Sequence, residues 1–173
     1  MQTQQNKKLV LTALFIALSL LGANIRMFGT IAFDSMPAFL ASLLLGPVIG
    51  AMVGFFGHMF SAIFIGAPLG IPMHLAIAGS MALTMFCFAH SHQILRKGSG
   101  GHMALFGSGI VGLICNAPIS LMISILMLYA MQGAGATAML LPMLPALLLA
   151  SAANILLASL LYPRLAVLFE ERA

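Results

Sequence analysis

The sequence predicts an all-α membrane protein with six transmembrane helices and with both termini in the cytoplasm. Of the 173 residues, 62% are apolar and 6% are charged, and the mean hydropathy is +1.13. A soluble domain carries about 25% charged residues, so this chain has too few polar side chains to cover a water-facing surface. One span needs about 20 residues, and the length therefore permits about five to seven spans. We interpret residues 1–173 as a single membrane domain.

Glycine, proline and charged residues divide the chain into six apolar segments. The first follows a pair of lysines, and the second is short, beginning near Pro37 and ending at the Gly46-Pro47 turn. A stretch with two prolines, 66–72, separates the third from the fourth, and a basic, glycine-rich loop, 96–101, separates the fourth from the fifth. The predicted helices cover residues 8–27, 33–45, 48–65, 71–89, 103–131 and 140–169.

Three of these helices carry small residues at every fourth position. Gly46, Gly50, Gly54 and His58 form such a ridge on the third helix, which predicts close packing against a neighbouring backbone. In the fifth helix Pro118 removes a helical hydrogen bond, and we expect a kink beside Asn116. Such a kink can shape a pocket.

The basic residues set the predicted orientation. With six spans, one side of the membrane collects six of the seven lysines and arginines, which makes that side cytoplasmic by the positive-inside rule. These six are Lys7, Lys8, Arg96, Lys97, Arg164 and Arg172. The sequence pI near 9.6 therefore reflects membrane topology and does not indicate a nucleic-acid partner.

Polar side chains inside apolar helices are costly in hydrocarbon and tend to face a cavity or the interior of a bundle. At a rise of about 1.5 Å per residue, the candidates fall in the outer half of the membrane, which predicts a cavity open to the outside. The candidate binding residues are His58, His74, Asn116, Asn154, Asp34, Arg26, Ser61 and Gln132.

Each candidate also has a purely structural interpretation. Asn116 and Asn154 can hydrogen-bond between helices, and Asp34 can pair with Arg26. The His-x-His pair of residues 90 and 92 has no cysteine or carboxylate nearby, so a solvated pair is favoured over a metal site. We expect no cofactor and no metal.

Several enzyme and transporter signatures are absent from the sequence. It has no Walker motif, no His-Glu-x-x-His motif and no carboxylate deep inside a span. These absences favour a substrate-binding membrane subunit. A stand-alone carrier for a small heteroaromatic solute, and a membrane enzyme or assembly factor with catalytic histidines, remain the alternatives.

The stretch from Asp34 to His58 resembles the substrate-binding S components of energy-coupling factor (ECF) transporters, which import vitamins. The matching features are Asp34 and Pro37 at the start of the second helix and the Gly-Pro-x-x-Gly turn that begins at Gly46. Residues 13–17, Ala-Leu-Phe-Ile-Ala, are similar to the Ala-x-x-x-Ala signature of the family. The resemblance covers essentially the whole chain and implies a six-helix S-component bundle.

The resemblance also implies a mechanism and a set of partners. An S component captures its ligand from outside, under a lid that would here be 24–33 and 66–72, and docks on a membrane scaffold driven by two ATPases. Ala13 and Ala17 would form the docking surface.

The same resemblance narrows the choice of ligand. Gln2 replaces the histidine of metal-specific relatives, and the chain lacks the Trp of thiamin binders. The segment after Asp34 is most similar to S components for alpha-ribazole, a cobalamin precursor. Riboflavin, pyridoxine and queuosine precursors remain open.

Overall fold

Helices make up almost all of the computed structural model, which describes residues 2–24, 26–27, 31–133 and 138–170. The all-α prediction is confirmed. The first four helices are α1 (Gln2–Asn24), α2 (Met36–Leu45), α3 (Pro47–Phe64) and α4 (Ile71–Gly98). The fifth is a continuous rod made of α5 (Gly101–Ile114), a π-helical turn (Cys115–Ile119) and α6 (Ser120–Gln132). A 3-10 turn, Leu141–Met143, leads into the sixth, α7 (Leu144–Glu170).

Five of the six helices are long and apolar enough to cross a membrane, and α2 is the exception. Its 10 residues reach about 15 Å, half of a hydrocarbon core of about 30 Å. Before α2, a two-stranded antiparallel hairpin pairs β1 (Arg26–Met27) with β2 (Ile31–Ala32). The side chain of Arg26, residues 25 and 28–30 of the predicted lid, and the basic residue Arg172 lie outside the described part of the chain.

Helix α2 lies at the centre of the bundle, in contact with α1, α3, α4 and α7. Six consecutive residues from Pro37 to Ser42 are buried. Pro37 has no N–H group to leave unpaired at the start of the helix, and the Met36 N–H donates to the Asn154 side chain of α7 at 2.8 Å. At the other end Gly46, with φ of 97°, makes the turn into α3.

The glycines of α3 allow close approach by three different helices. A Cβ atom added at Gly50 would lie 2.7 Å from Ser42 Cα of α2, and one added at Gly54 would lie 2.9 Å from Met85 Cγ of α4. One added at Gly57 would lie 2.7 Å from the Ser19 Cβ of α1. Two glycines of the predicted ridge, Gly50 and Gly54, therefore contact two different helices, α2 and α4. The contact with α1 is made by Gly57, which is not part of the ridge.

An aromatic pair forms the core between α2, α4 and α5. The fully buried rings of Phe39 and Phe88 pack edge to face, with centroids 5.0 Å apart. A Cβ atom at Gly112 would lie 3.0 Å from Phe88 and 3.2 Å from Phe39, so α5 rests directly on both rings. Ile155 of α7 completes this apolar layer.

The expected irregularity at Pro118 takes the form of the π-helical turn Cys115–Ile119. The wider turn accommodates the missing N–H of Pro118 without ending the helix. Ser120 N–H donates to Cys115 O, five residues earlier, which is the hydrogen bond characteristic of a π-turn.

Gly50→Ala should destabilise the protein, because the new methyl group would collide with the backbone of α2. Overpacking of this kind costs about 1–3 kcal/mol. The matched control is Gly79→Ala in α4, where nothing lies within 4 Å of the added Cβ and alanine favours the helix. Thermal unfolding of the purified chain in detergent measures the difference. Equal midpoints for the two variants would contradict the close α2–α3 contact.

Candidate functional site

A cavity of about 260 Å³ lies in the half of the bundle opposite the basic loop 96–101. The start of α2, the helices α3, α4 and α7, and the junction of the π-helical turn with α6 all contribute to its wall. The wall is mixed, with apolar side chains between amides, hydroxyls, one imidazole and one carboxylate. Its lining residues are Asp34, Ser35, His58, Ile77, Met81, Asn116, Ser120, Leu147, Ala150, Ser151 and Asn154.

Four of the eight candidate binding residues therefore line one cavity. These are Asp34, which immediately precedes the N-cap of α2, and His58, Asn116 and Asn154, which come from three separate helical segments. The layer of Phe39, Phe88 and Gly112 packs one helical turn from Asn116, on the side of the basic loop. The opening of the cavity to the outside stays a prediction.

Asn116 presents an unused acceptor to the cavity. Its Nδ2 group donates to Ser151 Oγ at 2.8 Å, and this bond holds the π-helical turn against α7. Its Oδ1 accepts no hydrogen bond from the described residues. A ligand hydroxyl or ring N–H can therefore bind there.

Ser120, which lines the cavity, bonds to a serine of α4 that does not. Ser120 Oγ lies 2.7 Å from Ser80 Oγ, and Ser80 Oγ donates to Ile77 O at 2.8 Å. Because Ser80 has one proton, Ser120 is the donor between the two hydroxyls, and the lone pairs of Ser120 keep acceptor capacity for a ligand.

His58 lines the cavity, and His74 of α4 contacts His58 without being a lining residue. The His58 Nε2 and His74 Nδ1 atoms are 3.2 Å apart, with ring centroids separated by 5.4 Å. His74 is only 5% exposed and its Nε2 has no partner among the described residues. One proton is shared along this bond, so the tautomer of His74 determines whether His58 Nε2 acts as donor or acceptor.

Asn154 lines the cavity but uses its amide for structure. Its Oδ1 accepts from the Met36 N–H and its Nδ2 donates to Ala150 O, both at 2.8 Å. The residue is 1% exposed. The contact with Met36 is of the kind expected from the structural interpretation of Asn154, in which its amide hydrogen-bonds between helices.

Two other candidates, Ser61 and Gln132, are not among the lining residues. Ser61 is buried and donates to Gly57 O of its own helix at 2.8 Å. Gln132 is exposed at the end of α6. For Arg26 the structure gives the backbone position in β1 alone.

A comparison with protein-family models decides the family. The model described as "ECF transporter, substrate-specific component" matches residues 7–166. The chain belongs to this family. Searches of curated proteins and of solved structures gave no match.

As an S component, the chain is a multi-pass membrane subunit of a transporter and not an enzyme. The family assignment also implies a small-molecule ligand and an ECF module as general partners. The sequence prediction of a substrate-binding S component is confirmed at this level.

The predicted docking residues of the S component lie on the outer face of α1. Ala13 and Ala17 are both exposed, whereas Thr12, Phe15 and Ser19 on the opposite face are buried. The small outer pair therefore leaves a shallow surface on which another membrane helix can pack. Docking itself stays a prediction.

Three lining serines of the S component were not among the candidates. Ser120 lies four residues after Asn116, and Ser151 lies three residues before Asn154, so helical spacing places both beside a candidate amide. That spacing could have identified them. Ser35 immediately follows Asp34, but its burial depends on the central position of α2, which the sequence does not reveal.

Asn154→Ala should destabilise the S component by about 1–3 kcal/mol, because a buried N–H of α2 would lose its acceptor. The control is Asn24→Ala, where an exposed amide bonds only to Leu20 O within its own helix. Thermal unfolding in detergent should separate the two variants. If Asn154→Ala unfolded no earlier than Asn24→Ala, Asn154 would not anchor α2.

Proposed function

We propose that this S component captures a vitamin or vitamin precursor from outside the cell and delivers it through a scaffold subunit powered by two ATPases. The whole chain acts as one substrate-binding domain. The observation that carries the proposal is the convergence of Asp34, His58 and Asn116, with hydroxyls of α6 and α7, on one cavity.

The cavity chemistry favours a compact heteroaromatic ligand with hydroxyl groups. Ile77, Met81 and Leu147 supply apolar wall for a ring, and Asn116 Oδ1 supplies an acceptor for a hydroxyl. Its volume of about 260 Å³ lies just below the usual range of about 300–1,000 Å³ for small-molecule sites. Alpha-ribazole, a heteroaromatic ring bearing one ribose, is our leading candidate, on the similarity of the segment after Asp34.

The position of the cavity supports entry from outside. It lies in the half of the bundle away from Arg96 and Lys97, which the positive-inside rule assigns to the cytoplasm. The β1–β2 hairpin and the segment 66–72 lie at the outer end in this orientation. We assign them as the lid, with Asp34 at the base of the hairpin.

Asn116→Ala should weaken ligand binding about five-fold, the effect of losing one neutral hydrogen bond of about 1 kcal/mol. The ligand is first identified by mass spectrometry of the compound that co-purifies with the wild-type chain, and its affinity is then measured by calorimetry. Ser108→Ala is the control, because Ser108 lies two turns away on the same helix and bonds to Leu105 O. Equal affinities for the two variants would remove Asn116 from the site.

Ala13→Trp should abolish uptake while leaving ligand binding intact, because the indole would fill the shallow outer face of α1. Uptake is measured in proteoliposomes that contain the S component, the ECF module and ATP, and binding is measured on the isolated chain. Leu126→Trp, at an exposed position of α6, is the control and should transport normally. Uptake by the isolated chain without the module would contradict the proposed function.

A further inference from the structure

A second polar cavity, of about 330 Å³, lies at the other end of the bundle. It is bounded by the end of α4, the start of α5 and the last turns of α7. His92, Arg96, His102 and Tyr162 line it, and the lining residues that the structure describes include no acidic side chain. This end contains the basic loop and is separated from the ligand cavity by the aromatic layer.

His92 is an unsatisfied polar group in this cavity wall. It is 4% exposed, and neither ring nitrogen has a hydrogen-bond partner among the described residues. The backbone of Ala104 lies near the ring but outside hydrogen-bond geometry. Buried polar groups normally find partners, so an orphaned imidazole in a cavity wall points to a missing ligand.

The surrounding groups are donors. Arg96 Nη1 donates to the Tyr162 hydroxyl at 2.9 Å, which positions the guanidinium at the cavity and leaves its other N–H groups for a ligand. The Tyr162 ring also packs edge-on against His92, with centroids 5.7 Å apart. The 14-residue helix α5 begins at Gly101, so its unpaired N-terminal N–H groups and positive dipole end face the same cavity.

An apolar groove begins where the polar cavity ends. Leu105 lines both, and the groove, of about 350 Å³, follows α5 and α7 as far as Leu113. At 1.5 Å rise per residue this is a length of about 12 Å. Phe106 is 68% exposed beside it, and the groove therefore opens to the hydrocarbon of the bilayer.

We propose that the polar cavity and the groove together bind one anionic phospholipid. The phosphate accepts hydrogen bonds from Arg96 and the start of α5 and, after rotation of the imidazole ring whose nitrogens are now buried, from His92. An acyl chain lies in the groove beyond Leu105. Charge complementarity selects an anionic headgroup, and the continuity of a donor cluster with an apolar groove selects a lipid over a free anion.

Retention of lipid by the full-length chain tests this proposal. The chain is released from micelles that contain equal amounts of phosphatidylglycerol and phosphatidylcholine with the same acyl chains, and bound lipid is counted by native mass spectrometry. We expect one phosphatidylglycerol per chain. Arg96→Gln should reduce the preference for phosphatidylglycerol about five-fold, the effect of one cation at an anionic surface.

Lys97→Gln is the matched control, because it removes the same charge from an exposed neighbour that does not line the cavity. Gly109→Leu should reduce retention of both lipids by filling the groove, where an added Cβ meets only Ile155, at 3.4 Å. An unfolding midpoint near that of the wild type shows that a variant is folded. If Arg96→Gln is unfolded, Arg96→Lys replaces it and should keep the preference for phosphatidylglycerol.

Three results would overturn the proposal. Equal retention of the two lipids by the wild-type chain would remove the headgroup site. An equal loss in Lys97→Gln and Arg96→Gln would indicate general surface charge. Displacement of phosphatidylglycerol by inorganic phosphate, with full retention by Gly109→Leu, would indicate a site for a free anion.

Discussion

The hydrogen bond from the Met36 N–H to Asn154 holds α2 in place, and the rest of the bundle is arranged around α2. A helix of 10 residues cannot bring both of its ends to the membrane surfaces, so its terminal N–H groups need partners inside the protein. Asn154 meets that need from α7, and Pro37 reduces it by having no N–H group. The N-terminus of α2 lies within the bundle, short of its outer end. The space beyond this N-terminus is the ligand cavity.

The close packing around α2 fills the bundle between the ligand cavity and the basic loop. Gly50 allows α3 to touch α2, and Gly112 allows α5 to rest on the rings of Phe39 and Phe88. Larger side chains at either glycine would push the helices apart. The same small residues that permit packing therefore also maintain the apolar layer between the two polar cavities of the protein.

Much of this architecture follows from local sequence, because glycine, proline and charge interrupt the apolar runs where the helices end. The end of α4 is an exception: the predicted helix ends at residue 89 and the pair at 90 and 92 is expected to be solvated, yet α4 continues to Gly98 and His92 is buried against Tyr162. Four cavity residues could be predicted from depth along their helices. The anchoring role of Asn154 could not, since Met36 is 118 residues away in sequence and nothing local links the two.

The π-helical turn at Cys115–Ile119 makes its helix sensitive to a change in length of a single residue. A π-turn holds one residue more than an α-turn, so the rod Gly101–Gln132 contains the equivalent of a single insertion. One residue inserted into a regular α-helix would rotate everything beyond it by about 100°. The wider turn takes up the extra residue instead, and Asn116 and Ser120 both face the ligand cavity. The π-turn therefore keeps the two halves of one span in the same rotational register, and a further insertion in this segment should be far less tolerable than a substitution.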